Sequence, residues 1–216
     1  MTLSDSIQDY LREIYKLQKE GTRVSTMELA KAMEVSPSSA TSMLKKLDSL
    51  GLVEHAPYHG VSLTDEGARV ALEVVRHHRL LEQYLSESLD VPLDAVHAEA
   101  DRLEHALSEE LEALIDRQLG FPTHDPHGDP IPNAELEMAP GELRSLSELE
   151  EGERATVRRV PDGDAELLRY LTELSLVPGR VVRLLRAAPF EGPVTIDVGA
   201  AEHAISRELA GQIGVA

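Results

Sequence analysis

The 216-residue chain contains no cysteine and no tryptophan, and its aromatic side chains amount to two Phe and five Tyr. Without thiols there can be no disulfide framework and no thiolate metal site, so any metal held here must be bound by oxygen and imidazole nitrogen. With so few aromatics, Leu, Val and Ala must fill the interior, which favours helices. No apolar run reaches membrane-spanning length, and the start MTLSDSIQDYL lacks a basic segment followed by an apolar core. A cytoplasmic chain that engages no membrane is therefore expected. An excess of positive charge is missing as well: the formal net charge is −18, so the surface as a whole repels polyanions. Residues 1–60, however, carry seven basic against eight acidic side chains. The acidity lies downstream, and a local nucleic-acid patch near the N-terminus stays open.

Apolar periodicity places a helix over residues 5–20, with Ile7, Tyr10, Leu11, Ile14 and Leu17 on one face and Gly21 ending the pattern. Ser25 and Glu28 have the spacing of a capping box opening a short helix through Met33. Ser36 fits an N-cap with Pro37 at the first helical position, and that helix runs to about Leu50 before Gly51. A short helix, a brief turn and a second helix form a helix-turn-helix. "LVEHA" and "VSLT" around "PYHG" then read as two strands of a wing. A three-helix packing unit that binds nothing has no need for Ser36, Pro37, Ser38, Ser39, Thr41 and Ser42 at the front of its last helix. Small hydroxyl residues there let a helix approach a groove and bond phosphates or base edges, and Lys45 and Lys46 add phosphate contacts.

A long helix is expected over 64–89, followed by helices over about 93–106 and 108–119, which suit a dimerisation unit for a two-fold operator. Residues 121–142 are rich in Pro and Gly and read as linker. Short strands in "ERATVRRV", "RVVRLL" and "GPVTIDVG", a helix over 164–176 and a last helical turn in "ISRELAGQIG" fit a small barrel. The expected fold is mainly α with α+β parts. Residues 1–72 form a winged helix-turn-helix, 73–140 a helical dimerisation and metal-binding domain with linker, and 141–216 a small β-barrel. Nothing like a nucleophile elbow appears, and a non-enzymatic chain is expected.

"VHAEADRLEHAL" (96–107) sets His97, Asp101, Glu104 and His105 on one side of a helix. "RHHRLLEQYL" adds His78 and Glu82 at i,i+4, and Asp9 lies on the first helix. Such residues can be solvated, or they can converge on a hard, sulfur-free site suited to Mn²⁺ or Fe²⁺.

The segments "DYLREIYKL", "VSPSSATSMLKKLDSLGLV", "GVSLTDEG", "HHRLLEQYL", "VHAEADRLEHALS" and "DPHGDPIP" resemble the DtxR/MntR family of metal-dependent repressors over nearly the whole chain. The tail is similar to the SH3-like, FeoA-type domain of its longer members. The resemblance implies a homodimeric repressor that binds palindromic operator DNA when metal-loaded, controls manganese or iron uptake genes, and takes no organic small-molecule ligand. It assigns Asp9, Asp101, Glu104 and His105 to a primary site, with His78 serving one site or the other. Glu82 and His97 go to an ancillary site, completed from the tail by Asp164 and Glu166. The iron branch carries Met and Cys at the positions of Asp9 and Asp101. Carboxylates there favour Mn²⁺, with Fe²⁺ possible and Co²⁺, Cd²⁺ or Zn²⁺ as substitutes in vitro. Manganese-type members commonly carry Glu at the position of Arg12, and an Arg cannot ligate. The alternative is a metal-independent winged-helix regulator that senses a small organic ligand.

Overall fold

A computed structural model of the chain describes residues 3–18, 22–56, 59–138, 143–199 and 201–216. Gly21, Pro57 and Tyr58 of the "PYHG" turn and the end of the 121–142 linker lie outside the described residues. The chain divides into two compact units, residues 1–77 with 104–106 and 132–137, and residues 78–103 with 107–131 and 138–216.

In the first unit, α1 (Asp5–Leu17) buries Ile7, Tyr10, Leu11 and Ile14, the stripe its periodicity demands. The capping box that opens α2 (Thr26–Ala32) is formed reciprocally, with Glu28 N donating to Ser25 Oγ and Ser25 N to Glu28 Oε2. Ser36 Oγ accepts from Ser39 N at 3.1 Å to start α3 (Pro37–Ser49), whose Ala40, Leu44 and Leu47 are buried at i, i+4, i+7. Strands β1 (Val53–Ala56) and β2 (Gly60–Leu63) pair antiparallel from Val53↔Leu63 to Ala56↔Gly60, forming the wing. Leu11, Ile14, Leu29, Leu44, Leu47 and Val61 sit at zero exposure in one core. The helix α4 (Asp65–Leu89) contributes its beginning to this unit and its remainder to the other.

The second unit holds that remainder with α5 (Val96–Leu103), α6 (Glu109–Gln118) and the β-rich tail. Helices and tail pack as one body because Leu93 joins the tail's core and Asp94 pairs with Arg169 at 3.1 Å. The tail's strands are β3 (Arg144–Ser145), β4 (Arg154–Arg159), β5 (Val181–Ala187), β6 (Val194–Val198), β7 (Ala201–Ile205) and β8 (Gly214–Val215). They form one antiparallel sheet in the order β3-β8-β4-β5-β6-β7 around a Leu, Val and Ile core. Register shifts in β4 and β5 curl the sheet around that core. Helices α7 (Ala165–Glu173) and α8 (Arg207–Gln212) accompany it. Sequence periodicity omits β3, β7 and β8: β7 is "AEHAI", with one β-branched residue, and the other two are two residues long.

The helix expected over 93–106 does not run through. It stops at Leu103, and Glu104–Ala106 form a 3₁₀ turn before Leu107 extends and Ser108 caps α6. With three residues per turn, the 3₁₀ segment leaves the register of α5. Glu104 and His105 therefore do not share a face with His97 and Asp101, and the two pairs belong to different units.

Candidate metal centres

Three of the expected ligands converge in the first unit. His105 Nε2 lies 2.9 Å from Asp9 Oδ1 and 3.4 Å from Glu104 Oε1. Their donor atoms fall within 4.8 Å of one another. The 3₁₀ turn supplies Glu104 and His105, and α1 supplies Asp9 from the side that Tyr10 and Leu11 leave beside the core. Arg12, one turn along α1, donates Nη1–H to Glu104 Oε2 at 2.7 Å, and Glu104 is 1% exposed. The guanidinium compensates a carboxylate that burial would otherwise penalise, a role that fits an Arg where a ligand is not possible.

His78, His97 and Asp101 meet in the second unit, with His78 Nδ1 3.4 Å from Asp101 Oδ1 and His97 Nε2 3.9 Å from Asp101 Oδ2. The expected primary set is thus distributed over two groups, with Asp9, Glu104 and His105 in one and His78 and Asp101 in the other. Glu82, fully buried, accepts from this histidine pair: His78 Nε2 and His97 Nδ1 each lie 2.9 Å from its Oε1.

Glu82 also anchors a group that sequence reading missed. Asp125 and His127, 5% and 0% exposed, join it from the loop after α6. His127 Nε2–H donates to Leu93 O at 3.0 Å, so in the neutral ring it is Nδ1, 3.8 Å from Glu82 Oε1, that carries the lone pair. Asp125 Oδ1 accepts the backbone N–H groups of His127, Gly128 and Asp129, each at 2.9 Å, so the loop folds around its own carboxylate. Glu82 Oε2, Asp125 Oδ2 and His127 Nδ1 are buried without a hydrogen-bond partner among the described residues. Arg79 Nε stands 3.6 Å from Asp125 Oδ2, beyond hydrogen-bond reach, and with His127 neutral and Asp125 ionised the three buried atoms form an acceptor group whose oxygen and nitrogen character fits a divalent cation.

Burial and the neighbouring Glu82 and Asp129 carboxylates push the Asp125 carboxyl up to about 8. Burial opposes ionisation of His127, yet Glu82 and Asp125 push its imidazole up to about 9. Glu82 itself is held well below the usual carboxylate range, against the effect of burial, by His127, His78 and His97.

From the tail, Asp162 reaches this region: its Oδ2 is 3.9 Å from His97 Nδ1, and it clusters with Glu82 and His97. The expected donors Asp164 and Glu166 are exposed and, among the described residues, join no such cluster. Asp164 Oδ1 is engaged as the N-cap of α7, accepting from Glu166 N and Leu167 N at 2.8 and 3.2 Å. The "DGDAE" segment offers two similar aspartates, and capping consumes the second. A signal for the missed pair was present in "HDPHGD", where an Asp and a His two apart stand directly before a glycine.

That glycine is required. Gly128 has φ +93, and a Cβ on it would lie 1.7 Å from Arg158 O. Gly128→Ala is expected to cost at least about 2 kcal/mol, through strain and a backbone clash. A thermal melt followed by circular dichroism checks this, and a wild-type midpoint would contradict the assigned loop conformation.

On α3, Ser36, Pro37, Ser38, Ser39, Ser42, Lys45 and Lys46 are exposed and Thr41 is half-buried. Thr41 and Ser42 hydroxyls donate back to Pro37 O and Ser38 O at 2.7 and 2.9 Å. The face opposite Ala40, Leu44 and Leu47 is thus small, polar and cationic, and largely exposed among the described residues. Among the described residues no helix is long and apolar enough to cross a membrane.

Comparison with known proteins agrees along the full length. Residues 2–61 match the model of the iron dependent repressor N-terminal DNA binding domain. Residues 64–133 match its metal binding and dimerisation domain, and 144–216 match the FeoA domain. The iron-dependent repressor IdeR of Mycobacterium tuberculosis is 31% identical, over 99% of this chain and 97% of that protein. A solved manganese-dependent transcriptional repressor in complex with manganese is similar at a TM-score of 0.88 and 39% identity, covering 97% of this chain and 98% of that one. ScaR with bound Zn²⁺ is similar at a TM-score of 0.81 and 32% identity, with 97% and 98% covered.

Proposed function

This chain belongs to the DtxR/MntR family of metal-dependent transcriptional repressors, and from that membership we propose that it is a homodimeric, Mn²⁺-activated repressor of palindromic operator DNA. The observation that carries the reading is the Asp9–Glu104–His105 cluster, because Asp9 stands on the first helix of the DNA-binding fold. Residues 1–72 bind DNA in this reading, 73–140 dimerise and bind metal, and 141–216 lend Asp162 to the ancillary site.

Asp9, Glu104 and His105 hold the regulatory ion, and His78 and Asp101 belong with His97 to a separate group in the second unit. Glu82, His97, Asp125, His127 and Asp162 form the ancillary site. A divalent ion supplies the positive charge that lets these carboxylates stay together. Arg12 holds Glu104 in place, and Asp9 ties α1 to the Glu104–Ala106 turn. That tie sets the angle at which α3 is presented. Ser36, Pro37, Ser38, Ser39, Thr41 and Ser42 then approach base edges or phosphates, with Lys45 and Lys46 on phosphates. Leu111 and Leu114 on α6, 48% and 57% exposed, offer an apolar face for the second copy. Two copies set two recognition helices about one DNA turn, near 34 Å, apart. The donor set has no sulfur, which favours Mn²⁺ over Fe²⁺, although the Irving–Williams order lets Fe²⁺, Co²⁺ and Zn²⁺ compete in vitro.

The test is selection of bound duplexes from a random pool with Mn²⁺, followed by affinity measurement on the selected operator. Arms with no metal, Mn²⁺ and anaerobic Fe²⁺ are compared. Tight binding only with metal, reached at lower concentrations of Mn²⁺ than of Fe²⁺, is expected. Equal affinity in all arms would sink the reading, and a preference for Fe²⁺ would reassign the ion.

A further inference from the structure

Gln8 precedes Asp9 on α1, and its Oε1 accepts a hydrogen bond from His105 Nδ1 at 2.6 Å. The other ring nitrogen, Nε2, faces Asp9 Oδ1 at 2.9 Å and Glu104 Oε1 at 3.4 Å. A neutral imidazole has one N–H and one lone pair, so the nitrogen that donates decides which one can ligate. With Nδ1–H given to Gln8, Nε2 directs its lone pair to the space that Asp9 and Glu104 share. Asp9, Glu104 and His105 would each offer one atom to a cation held there.

We propose that Gln8 is a positioning residue of this site. It touches no ion, and it fixes the tautomer and ring orientation of His105 so that Nε2 is the ligating atom. The proposal rests on the metal-binding reading of the Asp9–Glu104–His105 cluster. Two features favour it over a casual contact. The bond spans 97 residues of sequence, linking α1 to the Glu104–Ala106 turn, and the ring is largely buried, so water cannot readily replace the acceptor. Arg12 acts in parallel one turn later, gripping Glu104 Oε2. Gln8 and Arg12 therefore flank Asp9 at i and i+4, and each orders one of the two ligands contributed by the turn.

Mn²⁺ isotherms of the full chain test this, with free Mn²⁺ read by electron paramagnetic resonance. Glu104→Gln first identifies which class of sites belongs to this cluster. Gln8→Leu keeps helix propensity but removes the acceptor, and should weaken that class about 10- to 100-fold while leaving the others unchanged. Gln8→Glu retains an acceptor oxygen and should stay within about threefold of wild type. Gln8→Lys presents a donor to Nδ1, turns the lone pair away from the cluster, and should lose at least as much as Gln8→Leu. In the Cd²⁺-loaded protein, ¹⁵N spectra of the His105 ring should show Nδ1–H in wild type and Gln8→Glu. A Gln8→Leu isotherm that overlays wild type, or a Gln8→Glu loss equal to that of Gln8→Leu, overturns the role of Gln8 alone. Absence of any Glu104-dependent class in the wild-type isotherm overturns the underlying metal reading instead.

Discussion

Glu104→Gln is expected to leave the chain folded and to lower its Mn²⁺-dependent operator affinity about 100-fold, to the level of the metal-free protein. A factor of 100 corresponds to about 2.7 kcal/mol, within the usual range for coupling between two sites. Glu104 is 1% exposed and stands between Arg12 and His105, so its charge is needed at the cluster and cannot be replaced by water. The amide still accepts from Arg12 through its oxygen, which protects the fold while removing the anionic ligand. Glu104→Ala should lose the same response but also melt earlier, because it removes the 2.7 Å ion pair with Arg12 and the volume of a side chain that is 1% exposed. Fluorescence anisotropy on labelled operator, with and without Mn²⁺, reads the first effect, and a melt reads the second. An unreduced Mn²⁺ response in Glu104→Gln would remove this cluster from the regulatory mechanism.

The second large effect concerns the Glu82–Asp125–His127 group and its dependence on pH. In the metal-free chain, His127 is raised to about 9 from an ordinary value near 6.5, and Asp125 to about 8 from near 3.8. Both shifts are upward, so the folded state holds more protons than the unfolded one across this range. The stabilisation from His127 is complete below about 6.5 and is lost as pH rises through 9. For Asp125 the loss runs from about 4 to about 8. Glu82 is shifted downward, and its contribution stays intact throughout this window.

The metal-free protein should therefore melt at progressively lower temperature from pH 6 to pH 8. Mn²⁺ reverses this, because the same proton losses that destabilise the apo-protein create the ligands. At a hundredfold excess over Kd the ion adds about 2.7 kcal/mol. For a chain of this size that is a rise of roughly 5–10 °C, larger at pH 8 than at pH 6. Circular dichroism melts at pH 6, 7 and 8, with chelator or with Mn²⁺, give the comparison. In His127→Ala the pH-dependent part of the Mn²⁺ shift should shrink markedly. A Mn²⁺ shift that is the same at all three pH values, in both proteins, would mean that this group does not take the ion.

Much of this molecule is legible along the chain. The stripe Ile7, Tyr10, Leu11, Ile14, the Ser25–Glu28 box and the Ser36–Pro37 start are local signals, carried by residues within a few positions of one another. Local periodicity and capping need only the backbone geometry of a helix, so the winged helix-turn-helix follows from them. The lack of cysteine restricts the donors to oxygen and nitrogen before any fold is known. Asp9, Glu104 and His105 are indicated by the resemblance and are brought together by the fold.

Other features depend on packing. "VHAEADRLEHAL" reads as one helix, and only the 3₁₀ turn after Leu103 separates His97 and Asp101 from Glu104 and His105. Asp162 and Asp164 are alike in sequence, yet the start of α7 consumes one and leaves the other near His97. Asp125 and His127 lie in an aperiodic loop whose shape comes from three backbone N–H groups turned onto one carboxylate. Gln8 has meaning only because a residue 97 positions away lies against it. The sequence by itself determined the helices, the wing and the chemical kind of donor, because those depend on neighbours along the chain. Only the tertiary structure decided which donors share a site, because a ligand set is a property of distances between segments far apart in sequence.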